Sequence, residues 1–279
     1  VLYESLFKRY KAQDSRKVFA AFRYVQAKGE TWETPFESLV SIAKPEEWGF
    51  RNPEFVQTHN SRYPILLNYL NYTFIRVQEL GLIAYSTDDR RACFNTGLQT
   101  SREKDIYATF YKNLHAGQYN APDWTFYGFA DSYSGITGCI RPLPDIPTYI
   151  SEPSDLIFDI RLDLEVNYNH ILDDNIARFP VELQNNKTMA LRVLKGAIES
   201  LKARIIRNYR LAVPHWHEGK IQLLLPLNLV SSDNAADLVL VVDKDKQSGV
   251  YKARTIITMD IAYMNARLIA NPGRNWLTP

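Results

Sequence analysis

Cysteine is scarce in this chain of 279 residues. There are two, Cys93 and Cys139, in separate segments and without CxxC spacing. That excludes a disulfide-stapled scaffold and a paired-CxxC zinc ribbon, and it suits a reducing compartment with two free thiols. One disulfide between them stays open. Glycine (12) and proline (14) are too few for collagen-like or low-complexity sequence. No apolar run approaches the roughly 20 residues of a membrane span. The longest strings, such as Leu223-Leu224-Leu225, are strand-sized. The start, Val1-Leu2-Tyr3-Glu4-Ser5, has no basic region followed by an apolar one. A cytoplasmic protein without a membrane partner is expected. The missing initiator Met is what a fragment of a longer chain would show.

Several signatures are missing as well. There is no GxxxxGK[ST], no GxGxxG after a strand, no HExxH, no GxSxG and no protein-kinase set. These absences argue against P-loop NTPases, Rossmann oxidoreductases, zincins and α/β-hydrolases.

What is present is ordinary in bulk. Hydrophobic residues make up 46% and charged residues 23%, which suits a folded chain with a sizeable core rather than disorder. Length alone allows one or two domains. Lys+Arg number 33 against 31 Asp+Glu, a net charge of +2, but the charge is segregated. Residues 187–210 carry Lys187, Arg192, Lys195, Lys202, Arg204, Arg207 and Arg210 against Glu199 alone. Residues 155–174 carry Asp155, Asp159, Asp163, Glu165, Asp173 and Asp174 against Arg161 alone.

Hydrophobic spacing predicts a mainly helical segment over 1–64, with a helix start at Thr34-Pro35 and a loop from Arg51 to Pro64. A helix is expected over Leu66–Val77, and then a hairpin turning at Asp88-Asp89. Ile106–Tyr111 and Trp124–Phe129 read as strands. Tyr133–Pro153, rich in Gly, Ser and Pro, is the best linker candidate. Leu156–Leu164 reads as a strand and Asn169–Phe179 as a short helix ended by Pro180. Thr188–Arg207 reads as the longest helix. Strands follow at 221–227, 238–242 and 250–258, and a last helix near 261–269. Strands come in pairs with short turns, so the expected class is α+β with a mixed or largely antiparallel sheet, and α/β is the alternative. The expected organisation is a helical segment, 1–64, packed on a main domain, 65–279.

Five constellations carry possible chemistry. In the first, His170, Asp174 and Arg178 stand at i, i+4 and i+8 on one helix face, with Asp173 beside them. A carboxylate that orients an imidazole suits general acid–base work, and an arginine suits phosphate. The same spacing also describes a solvated face with an ion pair. Asn175 lies within this run.

The second is the basic helix, where Arg192, Lys195, Lys202 and Arg204 are candidate phosphate contacts. Asn208, Tyr209 and Arg210 follow it, and Tyr209 is available to stack on a base. Snorkelling surface cations fit equally well. The third is His215-Trp216-His217-Glu218, a weak metal motif that more simply reads as a turn before the Ile221 strand. No metal is expected, and no cofactor is implied.

The fourth is the C-terminal helix. Asp260, Tyr263 and Arg267 share a face, Asp260 is placed to cap, and Asn265 and Arg267 are candidate buried polar groups. The fifth is Asn95-Thr96-Gly97, a tight turn with small polar groups that would receive a phosphate or ribose, or serve only as a turn.

Several of these strings together resemble a bacterial family of domains of unknown function. They are Ala92-Cys93-Phe94-Asn95-Thr96-Gly97-Leu98, His170-Ile171-Leu172 with Arg178-Phe179-Pro180, and Asn208-Tyr209 before Ala212-Val213-Pro214. Ile221–Leu227 and the Asp260 to Ile269 run match too, so the resemblance spans roughly residues 66–277. The His215-Trp216-His217 stretch departs from that pattern. The resemblance implies little chemistry. Its members are found beside RNA-binding modules of the LOTUS (OST-HTH) and cold-shock kinds, which implies an RNA or nucleotide partner and a fused or neighbouring RNA-binding domain.

Two functions are therefore expected. One is a hydrolase or transferase acting on a phosphoester or glycosidic bond. There His170 is the acid or base and Asp173 or Asp174 orients it. Arg178, Arg210 and Arg267 would bind phosphate, while Asn95, Asn175, Gln222 and Asn265 would read the ligand. The other is a non-catalytic RNA-binding or nucleotide-sensing module that uses the 187–210 helix. A scaffold for a neighbouring protein is a third, plainer option.

Overall fold

A computed structural model describes residues 3–8, 17–118, 121–230, 236–270 and 277. The chain divides into two compact units, Val1–Thr148 and Tyr149–Pro279. The division falls inside the stretch expected as a linker, and residue 64 lies within the first unit. Two mixed sheets and seven α-helices among the described residues make the fold α+β.

The first unit is built on a six-stranded sheet ordered β1-β2-β6-β5-β4-β3. Its strands are β1 (Ser5–Phe7), β2 (Val18–Ala21), β3 (Ala84–Tyr85), β4 (Arg91–Gln99), β5 (Asp105–Lys112) and β6 (Trp124–Asp131). β3 to β6 form an antiparallel meander, and β2 then β1 extend it in parallel at the β6 edge. α1 (Thr34–Ile42), α2 (Pro53–Thr58) and α3 (Pro64–Glu79) each carry Pro in the first turn, where the missing N–H is no loss.

Aromatic rings fill the core. Phe19 on β2 lies 5.0 Å from Phe74 of α3, 5.1 Å from Phe110 of β5 and 5.8 Å from Trp124 of β6. Asn71, buried on α3, accepts hydrogen bonds from Ser5 Oγ (2.8 Å) and Leu6 N (2.9 Å), which pins β1 to the helix.

The second unit carries a five-stranded sheet ordered β7-β11-β10-β9-β8. It comprises β7 (Leu164–Glu165), β8 (Val213–His217), β9 (Lys220–Leu227), β10 (Leu238–Asp245) and β11 (Val250–Ile257). β8 to β11 are an antiparallel meander, and β7 joins β11 in parallel. The helices are α4 (Tyr168–Asn175), α5 (Val181–Gln184), α6 (Lys187–Arg207) and α7 (Met259–Ala266). α6 buries Ala190, Leu194, Ala197, Ile198, Leu201 and Ile205, the stripe its spacing predicted.

Four local expectations change. Ser5–Phe7 and Val18–Ala21 are strands rather than parts of a helix, because such short apolar runs carry no readable period and pairing with each other and with β6 decides them. Asn52 caps a short helix, α2, inside the expected 51–64 loop, accepting from Glu54 N at 3.0 Å. Of the expected strand 156–164, only Leu164–Glu165 pairs. Asp159 instead closes a turn, with its carboxylate accepting from Arg161 N at 3.1 Å and its carbonyl from Leu162 N at 3.1 Å. Val213–His217 is strand β8, not a turn. The turn is Glu218-Gly219, where positive φ at both residues (47° and 82°) makes the tight two-residue hairpin.

Candidate functional site

The first expected constellation separates into two parts. On α4, His170 Nδ1 lies 3.3 Å from Asp174 Oδ2, and both side chains are about 60% exposed (61% and 58%). Asp173 is paired instead with Lys187 Nζ at 2.8 Å. Arg178 does not continue that face. The helix gives way to a 3-10 turn at Ile176–Arg178, and Arg178 Nη1 donates to Asn175 Oδ1 (2.7 Å) and to the carbonyl of Ile256. Asn175 is buried, donates to Ile171 O at 2.8 Å and accepts from Thr255 Oγ1 at 3.1 Å. Asn175 and Arg178 thus fasten the end of α4 to β11.

The basic helix keeps its apolar stripe inside and its cations outside. Arg192, Lys195 and Arg207 are exposed, while Lys202 and Arg204 are half-buried. Lys195 Nζ sits 5.2 Å from the ring of Tyr168, and Lys202 pairs with Glu199 at 3.0 Å. Arg204 is turned inward to Asn228 Oδ1, so it is the least available of the four candidates. Surface pairs of this kind contribute only about 0–1 kcal/mol, so a phosphate can displace them cheaply. Beyond α6, Asn208 Oδ1 accepts from Arg210 N at 3.2 Å and caps a 3-10 turn. Tyr209 on that turn is 58% exposed, with the Arg210 guanidinium 5.9 Å from its ring. The tyrosine beside it raises the pKa of Arg210.

A buried polar row crosses the second sheet, and of its members only Gln222 was expected as a site residue. Strand register sets His215 opposite Gln222, and both are buried. On β10, Asp243 is also buried and accepts from Arg254 Nε at 2.7 Å and from Lys220 Nζ. Burial alone would raise the Asp243 pKa, but the bonds from Arg254 and Lys220 outweigh it and hold it below the ordinary value. Neither ring nitrogen of His215 has a hydrogen-bond partner among the described residues. Burial, reinforced by neighbouring His217, pushes its pKa down to about 3. His215 is therefore neutral at physiological pH. Asp243 closes the apolar run 238–242 in the sequence, but nothing there shows its two cations.

The remaining candidates are placed as follows. Asp260 and Tyr263 are buried in α7, and Asn265 and Arg267 are half-buried at its C-terminal end. Asn95 and Thr96 belong to the first unit, where hydrogen bonds occupy both. Asn95 reaches Asp105 (3.1 Å) and Gly97 N (2.9 Å), and Thr96 Oγ1 donates to Ile106 O (2.7 Å). Gly97 is required there. Its φ is 74°, and a Cβ would stand 2.7 Å from Tyr69 Oη. Among the described residues no three His, Cys, Asp or Glu side chains are grouped to hold a metal ion. No helix among them is long and apolar enough to cross a membrane.

These features define a chain of two compact α+β units with its basic excess on one long helix, α6. The chain belongs to the family described as Domain of unknown function (DUF3825), whose model matches residues 39–276. No curated protein and no solved structure matches it.

Proposed function

We propose that this chain binds RNA through the exposed face of α6 and the Asn208–Arg210 turn, without itself performing chemistry. A nucleotide phosphate is the minimal ligand for that surface. The observation that carries the reading is the seven-to-one excess of basic residues over 187–210, with Arg192, Lys195, Arg207 and Arg210 exposed and Tyr209 open beside them. Cations that neutralise phosphates release counterions, and an exposed ring accepts any base. A bacterial, cytoplasmic setting beside LOTUS or cold-shock modules belongs to the same reading and would supply the sequence specificity this surface lacks.

The test is the triple substitution Arg192→Ala/Lys195→Ala/Lys202→Ala in a titration with single-stranded RNA. Each phosphate contact accounts for about 0.7 in the slope of log K against log salt. Three lost contacts should therefore weaken binding about 100-fold at 0.1 M salt. Unchanged affinity would overturn the proposal.

A second reading rests on the 3.3 Å contact between His170 and Asp174. A carboxylate at that distance can orient a general acid or base in a nucleotide or RNA hydrolase or transferase. In that case purified protein should cleave or transfer on RNA or a nucleotide, and His170→Ala should lower the rate at least 100-fold. Equal rates for the two proteins would exclude it.

A further inference from the structure

The outer face of the first sheet carries aromatic rings that the core does not use. β5 and β6 turn Phe110, Trp124 and Phe126 inward to Phe19 and Phe22. On the other side, register sets Arg91 opposite Tyr111 and Tyr111 opposite Thr125, and Tyr127 stands two residues further along β6. Tyr127 is 59% exposed, and its ring lies 4.7 Å from that of Tyr111 at 75°. The Arg91 guanidinium sits 5.7 Å from the Tyr111 ring. Just past β6, Tyr133 is 76% exposed with Lys104 Nζ 5.2 Å from its ring.

Exposed tyrosines suit a sheet by propensity alone. Here an exposed Tyr127 stands against a half-buried Tyr111 that carries the Arg91 cation, and a second exposed ring with its own cation, Tyr133 with Lys104, stands past the other end of β5 and β6. The charge selects the occupant, because Arg91 and Lys104 repel a cationic peptide and favour an anionic chain. Open π-faces interleaved with cations are how proteins hold unpaired bases with their phosphates.

We propose that these two tyrosine sites, at opposite ends of β5 and β6, are stacking sites for one single strand of nucleic acid. Tyr111, Tyr127 and Tyr133 take bases, while Arg91 and Lys104 take the flanking phosphates. The two sites lie in the other compact unit from α6 and go beyond the function proposed above, resting on that reading only for the choice of RNA as polymer.

The test uses the full chain and fluorescein-labelled 12-mers of oligo(U) RNA and oligo(dT) DNA, read by anisotropy. Base–aromatic stacking is lost with each ring removed, so Tyr111→Ala/Tyr127→Ala/Tyr133→Ala should weaken both oligomers about tenfold or more. The Tyr→Phe versions keep the π-face and should bind as the unsubstituted protein does. The proposal is overturned if the alanine variant binds within twofold of the parent. It is equally overturned if the phenylalanine variants lose as much as the alanine ones. Loss with the α6 triple substitution but not with the tyrosine set would overturn the stacking sites alone. Failure of the unsubstituted chain to bind either oligomer would overturn both proposals.

Discussion

Stability should fall by about 3 kcal/mol between pH 6.5 and pH 4 because His215 is buried neutral. Its pKa drops from 6.5 to about 3 in the folded protein. Between those values the unfolded chain binds a proton that the native state refuses. Stability is therefore full above pH 6.5 and declines as pH falls toward 3, at up to about 1.4 kcal/mol per pH unit. The window above pH 4 separates this effect from the carboxylates. Asp243 and Asp159 are held below 3.8 by their basic partners, so their contributions are lost only at lower pH. Urea denaturation at pH 7, 5.5 and 4, followed by circular dichroism, measures it. His215→Phe keeps a ring in the same space and should show a nearly flat profile over this range. Parallel profiles for the two proteins would mean that His215 is not buried neutral.

The second large effect is expected at Asp243. Its carboxylate is only 4% exposed, whereas its partners Lys220 and Arg254 are 51% and 47% exposed. The two sides of this cluster are therefore unequal. Removing Asp243 frees two cations that reach water, and Asp243→Leu should cost about 1–2 kcal/mol. Removing both cations strands a buried charge. Lys220→Met/Arg254→Met should cost about 3–5 kcal/mol at pH 7. In that variant the unpaired Asp243 pKa rises, so part of the loss should be recovered as the pH drops through 5. Adding Asp243→Leu to the double variant should restore most of the stability. Equal losses for the carboxylate and cation variants, read from urea midpoints, would refute this asymmetry.

The long elements were the legible part of the fold. α3, α6 and strands β4, β5, β6, β9, β10 and β11 fall where spacing places them, because each carries an apolar stripe or alternation long enough to show its period. Short elements were not legible. Val18–Ala21 and Val213–His217 are four and five residues long, and their conformation comes from the neighbouring strands rather than from themselves. The site divides in the same way. The basic face of α6 follows from charge counting, since helix geometry alone puts Arg192, Lys195 and Lys202 off the buried stripe. The Asp243 cluster requires three strands to be set in register, and the Tyr111–Tyr127 pair requires two, which no single segment encodes. Asn95, Thr96 and Asn175 looked like ligand groups because they are polar residues within apolar runs. Their partners, Asp105, Ile106 and Thr255, are supplied by adjoining strands.

The most direct measurement is the affinity of the unsubstituted chain for single-stranded RNA across 50–400 mM salt. Of the seven cations along α6 and the following turn, five are the proposed phosphate contacts: Arg192, Lys195, Lys202, Arg207 and Arg210. If they meet phosphates, log K should fall with log salt at a slope of about −3.5. A slope shallower than about −1, or no binding at 50 mM salt, would contradict RNA recognition by this helix.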